Sequence, residues 1–275
     1  MTIIQAVILG AVQGITEFLP ISSSGHLILI PKILSWTESG LAFDLALHLG
    51  TLIAILIYLK SDLIGLITNS YKNKTLGLRW VLWLGIATIP IALFGFFGAS
   101  LVNLHRTPQV VSTMLIVWGI LLILAELKNS FSQQTNQIEI CTPLASADPL
   151  KLSSPPSYFT AVILGLAQAF ALFPGTSRSG ATITVGLLQG KLALPNLIRL
   201  SFLMAIPATI GAILGGWSNT NWNEISLTPL LIGAIISAIF GLIAMKLLVW
   251  LGTARKLWWF GVYRIILGLV IIQIL

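Results

Sequence analysis

Apolar runs of helix length recur along most of this chain and restrict what it can fold into. Runs of about 20 residues lie near 43–59, 80–100, 108–127, 197–215, 229–250 and 257–275. An α-helix rises about 1.5 Å per residue, so each run can cross a hydrocarbon core of roughly 30 Å. Only 8% of the residues are charged, against roughly 25% in a soluble domain. The sequence therefore predicts an all-α polytopic membrane protein, and not a β-barrel of short alternating strands.

Two further apolar segments are interrupted by polar residues. Residues 3–35 are broken at Pro20 and a serine run, and residues 158–190 are broken in the same way. The arms of the first segment, about 16 and 11 residues long, are too short to cross the bilayer twice. Each segment therefore predicts a re-entrant helical hairpin. Irregular backbone at membrane depth must be surrounded by protein or water, so each tip should face an internal cavity.

The two interrupted segments are copies of each other. ILGAVQG at 8–14 recurs as ILGLAQA at 163–169, an offset of 155 residues, and the same offset aligns SSSG at 22–25 with SRSG at 177–180. We therefore expect the two copies to form halves of one site. The first copy would supply a carboxylate and an imidazole, and the second a guanidinium.

The repeat divides the chain into two structural halves within a single membrane domain. Residues 1–127 form the first half, 128–157 a polar loop rich in Ser, Gln, Asn and Pro, and 158–275 the second half. Each half contains one hairpin and three transmembrane helices. Because three is odd, the second half is predicted to be inverted relative to the first.

The basic residues predict the orientation in the membrane. If the loops are assigned alternately to two sides, one side collects ten basic residues: Lys60, Lys72, Lys74, Arg79, Lys128, Lys151, Lys191, Arg199, Arg255 and Lys256. The other side collects only Lys32 and Arg106. Cytoplasmic loops are enriched in Lys and Arg, so the first side is predicted to be cytoplasmic and the first hairpin to enter from outside. The net charge of +7 therefore reflects topology and does not indicate nucleic-acid binding.

The first hairpin carries side chains that are costly to bury in a membrane. Glu17 lies four residues after Gln13, so both share one helix face, and His26 follows the serines. Embedded ionisable residues usually line a functional cavity. Glu17 and the amide oxygen of Gln13 could bind a hard divalent cation such as Mg²⁺ or Ca²⁺. The alternatives are a helix–helix hydrogen bond from a protonated Glu17 and a packed interfacial histidine.

The two tips together predict an anion site. Serines after a proline are typical of a helix N-terminus, whose free N–H groups and positive dipole end attract anions. Arg178 in the second tip adds a planar fork that binds phosphate oxygens in a bidentate manner. The alternative for Arg178 is a simple ion pair with Glu17. The candidate substrate-binding residues are Gln13, Ser22, Ser24, Ser177, Ser179 and Thr182.

Three embedded or flanking polar residues have open roles. Arg264 lies inside the last predicted span and could pair with Glu126 or with a lipid phosphate. His48 and Asp44 lie at the start of the first full span, where packing or a place at the rim of the cavity is favoured.

The polar segment of the first hairpin, residues 13–26, reads QGITEFLPISSSGH. It resembles the Glu/Gln-x-x-x-Glu motif and Ser-rich segment of the undecaprenyl-diphosphate phosphatases, the bacitracin-resistance family. PGTSRSGAT is similar to that family's second motif, Pro-Gly-x-Ser-Arg-Ser-x-x-Thr. The resemblance implies a phosphatase in the plasma (inner) membrane that recycles the lipid carrier of peptidoglycan synthesis, and the distribution of basic residues predicts that its active site opens toward the outer face. It implies that Glu17 and His26 are catalytic, that Arg178 binds the diphosphate, and that Ser23 is a candidate nucleophile. His26, or Glu17 through it, would activate Ser23 or a water.

Other functions fit parts of the same sequence. Inverted repeats with broken helices at the midplane are typical of secondary transporters, so a transporter or flippase for a phospholipid or polyprenyl phosphate is the alternative. A type-2 acid phosphatase is excluded, because its Lys-x₆-Arg-Pro and Ser-Arg-x₅-His motifs do not occur. A purely structural scaffold would not require embedded Glu, His and Arg. The expected partners are a polyprenyl diphosphate and membrane lipids, and a homodimer is left open.

Overall fold

The computed structural model describes residues 1–37, 39–72, 74–98, 102, 107–135, 155–217, 220, 226–254 and 256–274. Within these ranges all regular structure is helical. The first half contains α1 (Ile3–Phe18), α2 (Ser23–Ile33), α3 (Leu41–Tyr58), α4 (Lys60–Lys72), α5 (Lys74–Phe97) and α6 (Pro108–Thr135). The second half contains α7 (Tyr158–Phe170), α8 (Arg178–Gln189), α9 (Leu194–Trp217), α10 (Leu227–Thr253) and α11 (Trp258–Ile274).

The prediction of an all-helical, multi-pass membrane protein is confirmed. By length and composition five of the described helices can cross a membrane, namely α3, α5, α6, α9 and α10. The last predicted span forms α11, an apolar helix of 17 residues. Large apolar side chains such as Phe96, at 81% exposure, and Leu214, at 68%, cover the outside of the helices, as lipid contact requires. The inversion of the second half relative to the first stays a prediction.

Both interrupted segments form helical hairpins. The first arm, α1, begins with a capping box in which Thr2 and Gln5 exchange hydrogen bonds, and it ends before Leu19, whose backbone is extended. The second arm, α2, has 11 residues. In the second half, α7 begins after the N-cap Ser157 and has 13 residues, and α8 has 12.

Each hairpin packs against a long helix of the other half. α1 lies along α10, and α7 lies along α5. Small residues allow the close approach: a Cβ on Gly14 would lie 2.5 Å from the carbonyl oxygen of Ser237, and one on Gly165 would lie 2.5 Å from that of Ala87. The largest core cluster likewise draws on both halves, and Phe18 meets Phe202 edge-on with ring centroids 5.7 Å apart. The hairpins are therefore fixed by contacts between the halves.

Two boundaries differ from the sequence prediction. Residues 60–72, predicted as a loop, form α4, whose Leu63 and Leu66 pack against the main core. This helix is too short and polar to resemble a span, so a search for spans overlooks it. α6 continues to Thr135, into the stretch that was predicted as the polar loop. The rest of that loop to residue 154, with Lys151, lies outside the described residues, as do Arg106 and Arg255.

Candidate active site

The two hairpin tips have the same local geometry. Ser22 precedes α2 and Ser177 precedes α8, and both adopt positive φ values, 73° and 68°. Each side chain accepts a hydrogen bond from the glycine N–H three residues on, Gly25 or Gly180. A non-glycine residue at positive φ costs of order 1–3 kcal/mol and is concentrated at functional sites. Both tips therefore hold a strained N-cap that aims a helix N-terminus inward.

Hydrogen bonds cross directly between the tips. The backbone N–H of Gly175 donates to Ser24 Oγ at 3.3 Å, and Ser179 Oγ donates to the carbonyl of Leu19 at 3.2 Å. Ser24 also shares a hydrogen bond with Ser22, at 3.2 Å. The first tip is thus linked to the second at two points, and the N-termini of α2 and α8 are brought together.

The carboxylate of Glu17 is the centre of the site. Its Oε2 accepts hydrogen bonds from Ser23 Oγ at 2.7 Å and from Gln13 Nε2 at 3.0 Å. Its Oε1 forms an ion pair with Arg178 Nη2 at 2.7 Å, and the two side chains are only 9% and 14% exposed. The structure therefore brings together Gln13, Glu17 and Ser23 from the first hairpin and Arg178 from the second.

Arg178 is oriented by helix α9 as well as by Glu17. Its Nη1 donates to the carbonyl of Ala205 and to Thr209 Oγ1, each at 2.9 Å. These three bonds use three of the five N–H donors of the guanidinium. Within the described residues, the remaining two are available for phosphate oxygens.

Gln13 links Glu17 to His48. Its Nε2 lies 3.2 Å from His48 Nδ1, so one amide hydrogen goes to the carboxylate and the other to the imidazole. Gln13 is fully buried, and within the described residues its Oε1 has no hydrogen-bond partner. An amide oxygen is a hard ligand of the kind that Mg²⁺ or Ca²⁺ prefers, but Gln13 turns its amide nitrogen toward Glu17, so the two side chains would share a cation through oxygen only after the amide rotates. Those two residues do not complete a coordination shell, so substrate oxygens would have to supply the rest.

Comparison with known proteins identifies the family. The family model described as bacitracin resistance protein BacA matches residues 6–270. The chain belongs to the bacitracin resistance family. A relative from Geotalea daltonii is 39% identical over 279 residues, covering 98% of this chain and 96% of the relative. Relatives from Saccharophagus degradans and Campylobacter concisus are each 37% identical over 283 and 278 residues, covering 98% of this chain and 96% and 97% of theirs. All three are named undecaprenyl-diphosphatase.

Two predicted site residues of this family member are bonded to groups other than Glu17. His26 is 7% exposed, and its Nδ1 lies 2.7 Å from the carbonyl oxygen of Ser22 while its Nε2 lies 2.6 Å from the hydroxyl of Tyr263. Thr182 Oγ1 is bonded to backbone carbonyls of its own helix and to Ser201 Oγ, at 2.7 Å. Thr182 thus joins α8 to α9, and both ring nitrogens of His26 have partners other than Glu17 and Ser23.

Arg264 is the residue whose role the sequence left open and the structure defines. It is 0% exposed, and its Nη2 donates to the carbonyls of Thr176 at 2.7 Å and Gly175 at 3.0 Å. Longer bonds of 3.4 Å reach the carbonyls of Pro20 and Met114. Arg264 therefore braces both tips from α11. Glu126, the partner considered for it, instead accepts the backbone N–H of Leu257 at 3.1 Å.

The other two open residues also have defined contacts. Asp44, in the first turn of α3, accepts a hydrogen bond from Ser39 Oγ at 3.1 Å, where an acidic residue is favourable for the helix dipole. His48 contacts the site through Gln13. The only sequence signal for His48 and Arg264 was their polarity within an apolar span.

Proposed function

We propose that this protein hydrolyses undecaprenyl diphosphate to undecaprenyl phosphate and inorganic phosphate. By this reaction it would recycle the lipid carrier for peptidoglycan synthesis and confer bacitracin resistance. The observation that carries the proposal is the contact of Glu17 with both Ser23 and Arg178, each at 2.7 Å, between two inward-facing helix N-termini. Relatives named undecaprenyl-diphosphatase, aligned over nearly the whole chain, support the choice of substrate.

The site suits a diphosphate at the end of a polyprenyl chain. The N–H groups of Gly25 and Gly180 are capped by serines, but the positive dipole ends of α2 and α8 still favour an anion, and Arg178 supplies a fixed positive charge. A charge-assisted hydrogen bond contributes roughly 1.5–3 kcal/mol. The apolar tail would remain between the helices or in the bilayer. The excess of basic residues on the predicted cytoplasmic side supports a site in the inner membrane that opens outward.

The chemistry assigned to Glu17 is general base catalysis. Ser23 Oγ already donates to Glu17 Oε2, so Glu17 can accept its proton as the oxygen attacks the terminal phosphorus. The bond from that phosphorus to the bridging oxygen breaks, and undecaprenyl phosphate leaves. In the serine route a phosphoserine forms and water then hydrolyses it; in the direct route Glu17 activates the water itself. Arg178 and the helix N-termini stabilise the charge that spreads over the equatorial oxygens.

A divalent cation would bind to Glu17 and to Oε1 of Gln13. When bound, it would neutralise charge on the diphosphate and polarise the phosphoryl oxygens. Gln13 carries one negative charge fewer than a glutamate at the same place, so Glu17 and the substrate would supply most of the attraction.

The test is release of phosphate from undecaprenyl diphosphate by the purified protein in detergent, with and without Mg²⁺ or Ca²⁺. We expect metal-dependent release from wild type and from Arg79→Ala, which removes an exposed arginine, and none from Glu17→Ala or Arg178→Ala. Wild type that is well folded but releases nothing from any polyprenyl diphosphate would overturn the proposal. The transporter alternative would then be tested by lipid flux in liposomes.

The choice between serine and water has its own test. A phosphoserine trapped at Ser23 would establish the covalent route. Full turnover by Ser23→Ala would establish direct attack by water.

A further inference from the structure

The tautomer of His26 follows from its hydrogen bonds. The carbonyl oxygen of Ser22 can only accept, so His26 Nδ1, 2.7 Å away, must carry a hydrogen. In the neutral imidazole, Nε2 then has a lone pair, and the Tyr263 hydroxyl at 2.6 Å must donate to it. Free histidine in water favours the opposite tautomer, so two partners impose this arrangement on the ring.

Tyr263 belongs to the helix that braces both hairpin tips. It lies on α11 next to Arg264, which is bonded to both hairpin tips. The rings of Tyr263 and His26 lie within 5° of parallel with centroids 5.7 Å apart, an offset arrangement that fits a bond between their edges. Tyr263 is 42% exposed and His26 is 7% exposed. Tyr263 therefore lies between the imidazole and the outside of the helix bundle.

This pair is separate from the hydrogen bonds around Glu17. Ser23 donates directly to Glu17, so Glu17 can take the serine proton; in the serine route the proposed role of His26 is to take a proton from the water that hydrolyses the phosphoserine. A proton that reaches His26 can enter only at Nε2, the nitrogen that faces Tyr263. The hydroxyl can rotate to accept from Nε2–H once the ring is protonated, so the hydrogen bond persists in both charge states of the imidazole.

We propose that Tyr263 is a positioning residue for the phosphatase reaction: it fixes the orientation and the Nδ1–H tautomer of His26 and remains bonded to the ring when the ring takes up a proton at Nε2. The effect of Tyr263 on catalysis rests on the proposed function. The tautomer itself is independent of substrate.

The first experiment measures the tautomer in the wild type. The chain has three histidines, so protein labelled with ¹⁵N-histidine gives few signals, and His26→Gln assigns those of His26. We expect a protonated Nδ1 and a hydrogen-bonded, unprotonated Nε2 at a pH where the ring is neutral. Neutral His26 with its hydrogen on Nε2 would overturn the proposal, whether or not the protein releases phosphate.

The second experiment compares Tyr263→Phe with Tyr158→Phe, which removes the hydroxyl of an exposed tyrosine at the start of α7. General acid–base groups typically contribute 10²–10⁴-fold, and loss of orientation should cost about 10–100-fold in kcat. KM should change less than about twofold, because Tyr263 binds the imidazole and no phosphate group. The Nε2 signal of His26 should also lose its hydrogen-bond shift in Tyr263→Phe alone.

Unchanged kcat in a folded Tyr263→Phe protein would overturn the proposal. So would a loss that appears only in KM, since that would indicate substrate binding. If wild type releases no phosphate while His26 shows the expected tautomer, the proposed function fails and the structural part of this inference stands.

Discussion

Arg264→Lys keeps the positive charge but removes the planar shape of the guanidinium, so it should show how much stability and activity depend on that shape. The planar fork of Arg264 donates to Gly175 and Thr176 in one tip and reaches Pro20 in the other. A lysine ammonium is a compact point charge that cannot span these carbonyls. It should keep about one of the two short bonds, so the loss is one charge-assisted hydrogen bond, about 1.5–3 kcal/mol of folding free energy.

The same substitution should lower the rate. Both tips would lose their common brace, and a displacement of about 1 Å at a catalytic group can cost about 10²-fold in rate. We therefore expect Arg264→Lys to lower kcat about 100-fold and to lower the apparent Tm in detergent. Phosphate release and thermal unfolding would be measured beside Arg79→Lys, which makes the same change at an exposed site.

Arg264→Met removes the charge as well as the hydrogen bonds, and so tests the contribution of both. Arg264→Met removes a buried charge and recovers its desolvation cost, so its Tm should fall less than the lost bonds alone would suggest. Its activity should nevertheless fall at least as far as that of Arg264→Lys. Wild-type kcat in either variant would refute the idea that Arg264 positions the tips.

Three further substitutions test other contacts. Asp62→Asn would leave Arg199 in a mostly buried position without its ion-pair partner. Unfolding measurements should show a loss of about 3–5 kcal/mol in the free energy of unfolding. Adding Arg199→Gln to Asp62→Asn should restore part of that loss, because it removes the unpaired charge. Gly14→Ala would place a Cβ 2.5 Å from a carbonyl oxygen of α10, and the overpacking should lower stability by about 1–3 kcal/mol, measured as a fall in Tm. Gln13→Glu would add a second carboxylate beside Glu17. Half-maximal phosphate release should then need about tenfold less Mg²⁺, which corresponds to a gain of about 1.4 kcal/mol in the free energy of Mg²⁺ binding. An unchanged Mg²⁺ requirement would contradict the metal assignment.

The hairpins could be predicted because their breaks are local in sequence. Pro20 and the serines interrupt an apolar run, and the two arms have the 16 and 11 residues that this break allows. The meeting of the first and second tips could be predicted from the repeat alone, and the structure brings Glu17 and Arg178 into contact.

The supporting contacts could not be predicted in this way. Arg264 binds backbone carbonyls, which every residue carries, so no sequence pattern marks its partners. The bond between His26 and Tyr263 joins residues 237 positions apart, and tyrosine is common in apolar helices for other reasons. α4 was missed because its apolar residues are too few to cross a membrane.

The packing of α1 against α10 has a consequence for how the protein is made. Gly10 lies against Gly233, which leaves the ribosome roughly 220 residues later, or roughly 10–45 s later at ordinary rates of synthesis. Throughout that interval the first hairpin, with its ionisable side chains, lacks its helix partner, and for about the first three quarters of it the hairpin also lacks Arg178. The first half therefore lacks its main packing partner until α10 is made, and we expect a truncated chain ending before α10 to be cleared by membrane proteases rather than to accumulate as a stable half.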